Sequence, residues 1–150
     1  MTGARRKGAS GRRKGVRGEL EVAHLFRDLG YPAQRGQQHD GLSGSADVVG
    51  VPYIWIEVKR KERLVPEDAM RQAERDSRAY NEKNGVCVLP VVIHRSNNSP
   101  WKVTTRAEYL MGFFGVVPFS TSVPMGGLVT MMFDEWVKVY QAYKLERERG

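Results

Sequence analysis

Cysteine is nearly absent: Cys87 is alone among 150 residues. A single thiol excludes an internal disulfide and any cysteine-built zinc cluster, and it suits a reducing compartment. Between Val86 and Val88 it reads as a small apolar core residue. Long apolar runs are also missing, since none nears the roughly 20 residues that span a membrane. The basic N-terminus is not followed by the apolar segment of a signal peptide. These absences predict a soluble, cytoplasmic protein with no membrane partner. Acidic residues are missing from positions 1–17, which hold Arg5, Arg6, Lys7, Arg12, Arg13, Lys14 and Arg17. Seven of the 24 Lys and Arg residues lie there, leaving 17 against 17 acidic side chains in the rest of the chain. The net charge of +7 therefore sits in a Gly-rich stretch. Such a composition cannot bury a core, and residues 1–14 are expected to form a flexible arm that orders on a polyanion. Nucleic acid is the partner this implies, because neutralised phosphates release counterions and give sequence-independent affinity. A solubility tail has the same composition.

The length and an apolar fraction of 41% suit one domain over 15–150. A first helix is expected from near Gly18, with Val22, Leu25, Phe26 and Leu29 on one stripe and Gly30 as a left-handed cap. Glu19 shares that stripe, where a carboxylate needs a partner to offset its desolvation. YPAQRGQQ reads as a short strand, HDGLSGS as a turn-rich loop, and ADVVG with YIWIEVK as a hairpin. A second helix starts at Pro66 with Glu67 and Asp68 in its first turn and closes at Gly85. VCVLPVVIHR is a mainly buried strand with Pro90 near its start or at an edge. WKVTT, RAEYLMGFF and LVTM read as strand, helix and strand around a Gly/Pro loop at 113–127, followed by a final helix. Phe133, Trp136, Val137 and Tyr140 form that helix's apolar stripe. The order implies an α/β fold with a mixed central sheet flanked by helices.

Within YIWIEVK, period 2 places Ile54, Ile56 and Val58 on one face and Tyr53, Trp55, Glu57 and Lys59 on the other. With Gly50-Val51-Pro52 as the hairpin loop, Asp47 faces Trp55 and lies diagonal to Glu57 on the Lys59 face. Glu19, Asp47 and Glu57 are the carboxylates that can then converge on one hard cation such as Mg²⁺, beside Lys59. An E-x-K on a strand is also what an ordinary cross-strand ion pair looks like.

The order Gly15-x-x-x-Glu19, Arg35, Asp47 and Glu57-Val58-Lys59, followed by a helix carrying Gln72, resembles the PD-(D/E)xK nuclease superfamily. Within it, KGVRGELEVAHLFRDLGYPAQR and SADVVGVPYIWIEVK are similar to the Holliday junction resolvases of archaea and bacteriophages. The similarity covers core motifs at about 15–95 and leaves 96–150 as a C-terminal extension. It implies a restriction-endonuclease-like fold and a catalytic set of Glu19, Asp47, Glu57 and Lys59. Mg²⁺, for which Mn²⁺ substitutes, is implied on Glu19, Asp47, Glu57 and the Val58 carbonyl. Also implied is a homodimer that nicks two strands of a four-way DNA junction symmetrically, in the cytoplasm or, if phage-encoded, in that of a host. Ala46 stands where the name-giving proline would be. The loop after Arg35 is longer than the family's, which leaves no clear catalytic part for Ser43 or Ser45.

Arg35, Gln37 and Gln38 read either as phosphate or sugar contacts or as an exposed turn. Gln72 reads as a support for a carboxylate or the attacking water, or as a solvated helix residue. Arg60, Lys61 and Arg63 either track a DNA backbone or blunt a sheet edge. His39-Asp40 is expected to be solvated, and His24 and His94 structural. Trp136, Tyr140 and Tyr143 are expected in the core or a dimer interface rather than stacked on bases.

Overall fold

A computed structural model describes residues 2–37, 45–113 and 127–150, and side chains outside 2–9 and 111–113. Gln38, His39, Asp40, Ser43, most of the 113–127 loop and the side chains of Arg5, Arg6 and Lys7 lie outside the described set.

The elements run α1 (Thr2–Asp28), β1 (Gln34–Arg35), β2 (Val48–Val49), β3 (Ile54–Arg60), α2 (Pro66–Asn84), β4 (Leu89–Arg95), β5 (Lys102–Arg106), α3 (Ala107–Phe113), β6 (Leu128–Met132) and α4 (Phe133–Arg149). The six strands lie in sequence order in one sheet. Only the β3–β4 pair is parallel, and α2 is its crossover. The fold is thus α/β, a mixed sheet with helices on both faces. No described helix is long and apolar enough to cross a membrane.

Alternation in β3 divides the core as its side chains require. Ile54, Ile56 and Val58 pack with Val22 and Phe26 of α1 and with Phe133, Trp136 and Tyr140 of α4. Trp55 packs on the other face with Ala69, Met70 and Ala73 of α2. The α4 aromatics are core residues: Trp136 and Tyr140 are fully buried, stack at 5.2 Å, and the Tyr140 hydroxyl donates to the Pro52 carbonyl.

Four sequence expectations need correction. The first helix begins at Thr2 rather than near Gly18. Ala, Arg and Lys are strong helix formers, and here they carry the helix through glycines that cost about 1 kcal/mol each. At its other end, Gly30 (φ +95°) forms the expected left-handed cap, with Tyr31 N–H donating to the Phe26 carbonyl and Gly30 N–H to that of Arg27. Leu29 lies beyond the helix and is 40% exposed rather than on the buried stripe. Cys87 is exposed, because β4 starts only at Leu89 and the Asn81 side chain pins the preceding turn through both backbone groups of Val88. The hairpin turn is longer than Gly50-Val51-Pro52. Both Gly50 (φ +89°) and Tyr53 (φ +69°) are left-handed, so Val48 pairs with Ile56. A Cβ on Gly50 would lie 2.1 Å from the Pro32 carbonyl oxygen, which leaves glycine alone able to close this turn.

Candidate active site

The altered register brings Asp47 opposite Glu57 instead of diagonal to it, since it sits one step beyond the Val48–Ile56 pair. The displacement is two residues, so faces are conserved and Asp47 stays on the Lys59 side. Just before β2, the Asp47 N–H donates to the Ile56 carbonyl, and the Val58 N–H donates to Asp47 Oδ2 at 2.8 Å. The carboxylate is thereby fixed to the strand it faces.

Asp47 and Glu57 are 7% and 5% exposed. Burial, and then the Glu57 charge, push the Asp47 carboxyl up from 3.8 to about 7. Burial likewise raises Glu57, although the ammonium of Lys59 opposes it. The two carboxyl groups also hydrogen-bond to each other, which opposes the rise at Glu57. Lys59 Nζ lies 3.1 Å from Glu57 Oε1 and donates to Gln72 Oε1 at 3.0 Å. Gln72 therefore meets Lys59 rather than a carboxylate.

Glu19 enters from α1, which comes close to β3 at Gly18. A Cβ there would stand 3.2 Å from Arg60 Cβ. Glu19 is partnered, as its place on the apolar side requires, by an ion pair to Arg35. Its charge still acts on Asp47. Together Glu19, Asp47, Glu57, Val58, Lys59 and Gln72 line a cleft of about 520 Å³, whose outer walls include Lys14, Arg60 and Lys61.

Among the described residues, no three acidic, histidine or cysteine side chains stand together closely enough to hold one metal ion. Glu19, which the resemblance adds to the set, is paired instead with Arg35. The pair that remains still suits a hard cation. Two buried carboxylates with a single lysine beside them are deficient in positive charge, and Mg²⁺ commonly binds through one or two carboxylates plus water.

The expected DNA contacts separate into groups. Arg12, Arg13, Arg17 and Lys61 are exposed, whereas Lys14 pairs with Glu62 at 3.5 Å. Arg35 contacts Glu19, which makes it part of the carboxylate arrangement rather than a simple surface contact. Gln37 is exposed, and its carbonyl accepts from Ser45 Oγ at 2.9 Å, giving Ser45 a loop-closing part. Arg60 pairs with Glu21 at 3.6 Å, as does Arg95 at 3.4 Å.

A scan against protein-family models and a search of curated proteins found no match. Among solved structures, the chain is similar to Hjc, a Holliday junction resolvase from the archaeal hyperthermophile Archaeoglobus fulgidus. The TM-score is 0.44 at 19% identity, covering 59% of this chain and 74% of that one.

Two groupings had no sequence signal. Arg106 of β5 bonds both Glu67 and Glu74 of α2, and the Tyr109 hydroxyl donates to Glu74. That network fastens α2 to the sheet beside the site. His94 Nε2 lies 2.8 Å from Thr104 Oγ1, which reaches Thr130 Oγ1 at 2.7 Å, so this histidine is structural as expected. Cross-sheet partners this far apart in sequence are set by strand order, which periodicity does not encode.

Proposed function

We propose that the chain is a restriction-endonuclease-like, Mg²⁺-dependent, structure-selective endodeoxyribonuclease that resolves four-way DNA junctions by paired symmetric nicks as a homodimer. The observation that carries the reading is the buried Asp47–Glu57 pair beside Lys59, reached from a cleft with basic walls. Structural ion pairs seldom bring two carboxylates together at the cost of a shared proton, whereas a site waiting for a cation does. It agrees with the order of Glu19, Asp47, Glu57, Val58 and Lys59 that the resolvases share.

On this reading Asp47, Glu57 and the Val58 carbonyl hold Mg²⁺, with Glu19 completing the set; Mn²⁺ substitutes. The ion supplies charge neutralisation at the phosphate and a more acidic bound water. Lys59 orients the nucleophile or the non-bridging oxygens, and Gln72 fixes the Lys59 rotamer. Arg12, Arg13, Arg17 and Lys61 bind backbone phosphates without reading sequence.

The test offers a synthetic four-way junction, a linear duplex and a single strand, each with Mg²⁺ and with chelator. Paired symmetric nicks in the junction alone support the resolvase. Equal cutting of duplex, fork or single strand makes the chain another nuclease of the superfamily. Binding without metal-dependent cutting makes it a DNA-binding module. Asp47→Asn should abolish cleavage and leave junction binding equal or tighter, and full activity in that variant would refute the site.

A further inference from the structure

We infer that Arg35 is a restraint on the cation site. Its ion pair holds Glu19 away from Asp47 and Glu57 until a substrate phosphate takes the guanidinium in exchange. This rests on the nuclease reading above and adds to it an order of assembly.

The two ends of the pair differ in access. The Arg35 side chain is 42% exposed on edge strand β1, while that of Glu19 is 15% exposed at the cleft wall. An arriving phosphate thus meets the guanidinium before it meets the carboxylate. Arg35 is held in place by the pairing of its backbone with Val48, next to Asp47, so the exchange requires only side-chain rotation. Guanidinium–phosphate contacts are charge-assisted and often bidentate, so the new partner compensates Arg35 for the old. Glu19 does not gain an equivalent. Left largely buried and unpaired it bears a desolvation cost, and a cation beside Asp47 and Glu57 removes it. Linkage then makes the coupling reciprocal: substrate favours the cation and the cation favours substrate.

The test uses the full-length protein and two binding measurements. Without DNA, Mn²⁺ binding is followed by loss of the free-ion EPR signal. Arg35→Gln should bind Mn²⁺ about tenfold more tightly than wild type, and the gain should vanish in Arg35→Gln/Glu19→Gln. Arg35→Lys keeps the charge and should keep most of the restraint, which separates the ion pair from any effect on folding. With chelator, junction binding is followed by fluorescence anisotropy. Glu19→Gln should bind severalfold more tightly, and only while Arg35 is present. Equal or weaker Mn²⁺ binding by Arg35→Gln overturns the restraint, as does a Glu19→Gln gain that survives without Arg35. Asp47→Asn distinguishes the two levels: if it binds Mn²⁺ like wild type the cation site itself is wrong, whereas loss there with no gain in Arg35→Gln removes the restraint alone.

Discussion

Asp47 carries opposing demands, and pH exposes them. Its native pKa is raised from 3.8 to about 7, so between those values the folded chain keeps a proton that the unfolded chain has released. Stability must then fall as pH rises across that window, with the whole deficit present above its upper end. Asn cannot ionise and can still accept the Val58 N–H. Asp47→Asn should therefore match wild type near pH 4 and exceed it above pH 7, by up to roughly 4 kcal/mol. Thermal melts of both proteins across pH decide this, and a variant whose margin over wild type is no larger at pH 8 than at pH 4 refutes it. On the proposed reading, millimolar Mg²⁺ at pH 7.5 should raise the melting temperature of wild type but not of Asp47→Asn, because a ligand stabilises only the state that binds it. Gln72 is a gentler case. Gln72→Leu removes the acceptor of Lys59 Nζ and should slow cleavage about tenfold with little change in DNA affinity. Asp47, Glu57 and Lys59 were legible because period 2 assigns faces, and Glu19 because it shares a helix's apolar stripe. The Glu19–Arg35 pair was not, since it joins helix to edge strand across a loop whose course the sequence does not dictate.

At the level of elements, glycines separate two kinds of backbone. Gly36 follows β1 and donates its N–H to the Asp47 carbonyl at 2.9 Å, so it ties the edge strand to the segment bearing the carboxylate. A Cβ there would fall 1.9 Å from the Ala46 carbonyl oxygen, a backbone atom that cannot yield as the tip of a flexible side chain would. Gly36→Ala should cost more than about 2 kcal/mol and displace Asp47. Gly11 of α1 has nothing within 4 Å of its added Cβ. Gly11→Ala should add up to about 1 kcal/mol of helix stability. Chemical denaturation of both variants checks the contrast, and similar midpoints would show that the packing around Gly36 is wrong. The same elements explain why the boundaries were only partly readable. Pro66, Gly30 and Gly85 mark ends through local dihedral preference, which sequence states directly. The start of α1 and the hairpin register depend on sums of small terms: propensity against glycine entropy in one, two left-handed residues in the other.

Across the whole molecule, charge is separated from core. α1 joins them: its C-terminal half buries Val22, Ala23 and Phe26 against the sheet, while Arg12, Arg13 and Arg17 stand exposed nearer its start, beside the cleft bordered by Lys14. If the basic segment binds DNA phosphates, its contribution is electrostatic and must appear in salt dependence rather than stability. Deleting residues 1–14 removes six of the chain's basic side chains, Arg5, Arg6, Lys7, Arg12, Arg13 and Lys14. With each contacting one phosphate, the slope of log K against log salt should flatten by up to about 5, at roughly 0.9 per contact. The melting temperature should change little, because the buried part of α1 begins at Gly18. A full-length variant with Arg12→Gln, Arg13→Gln and Arg17→Gln separates charge from helix length, and it should flatten the slope by about 3. An unaltered slope in both would make the segment a solubility tail. A slope that changes in the deletion alone would place the contacts at Arg5, Arg6, Lys7 or Lys14.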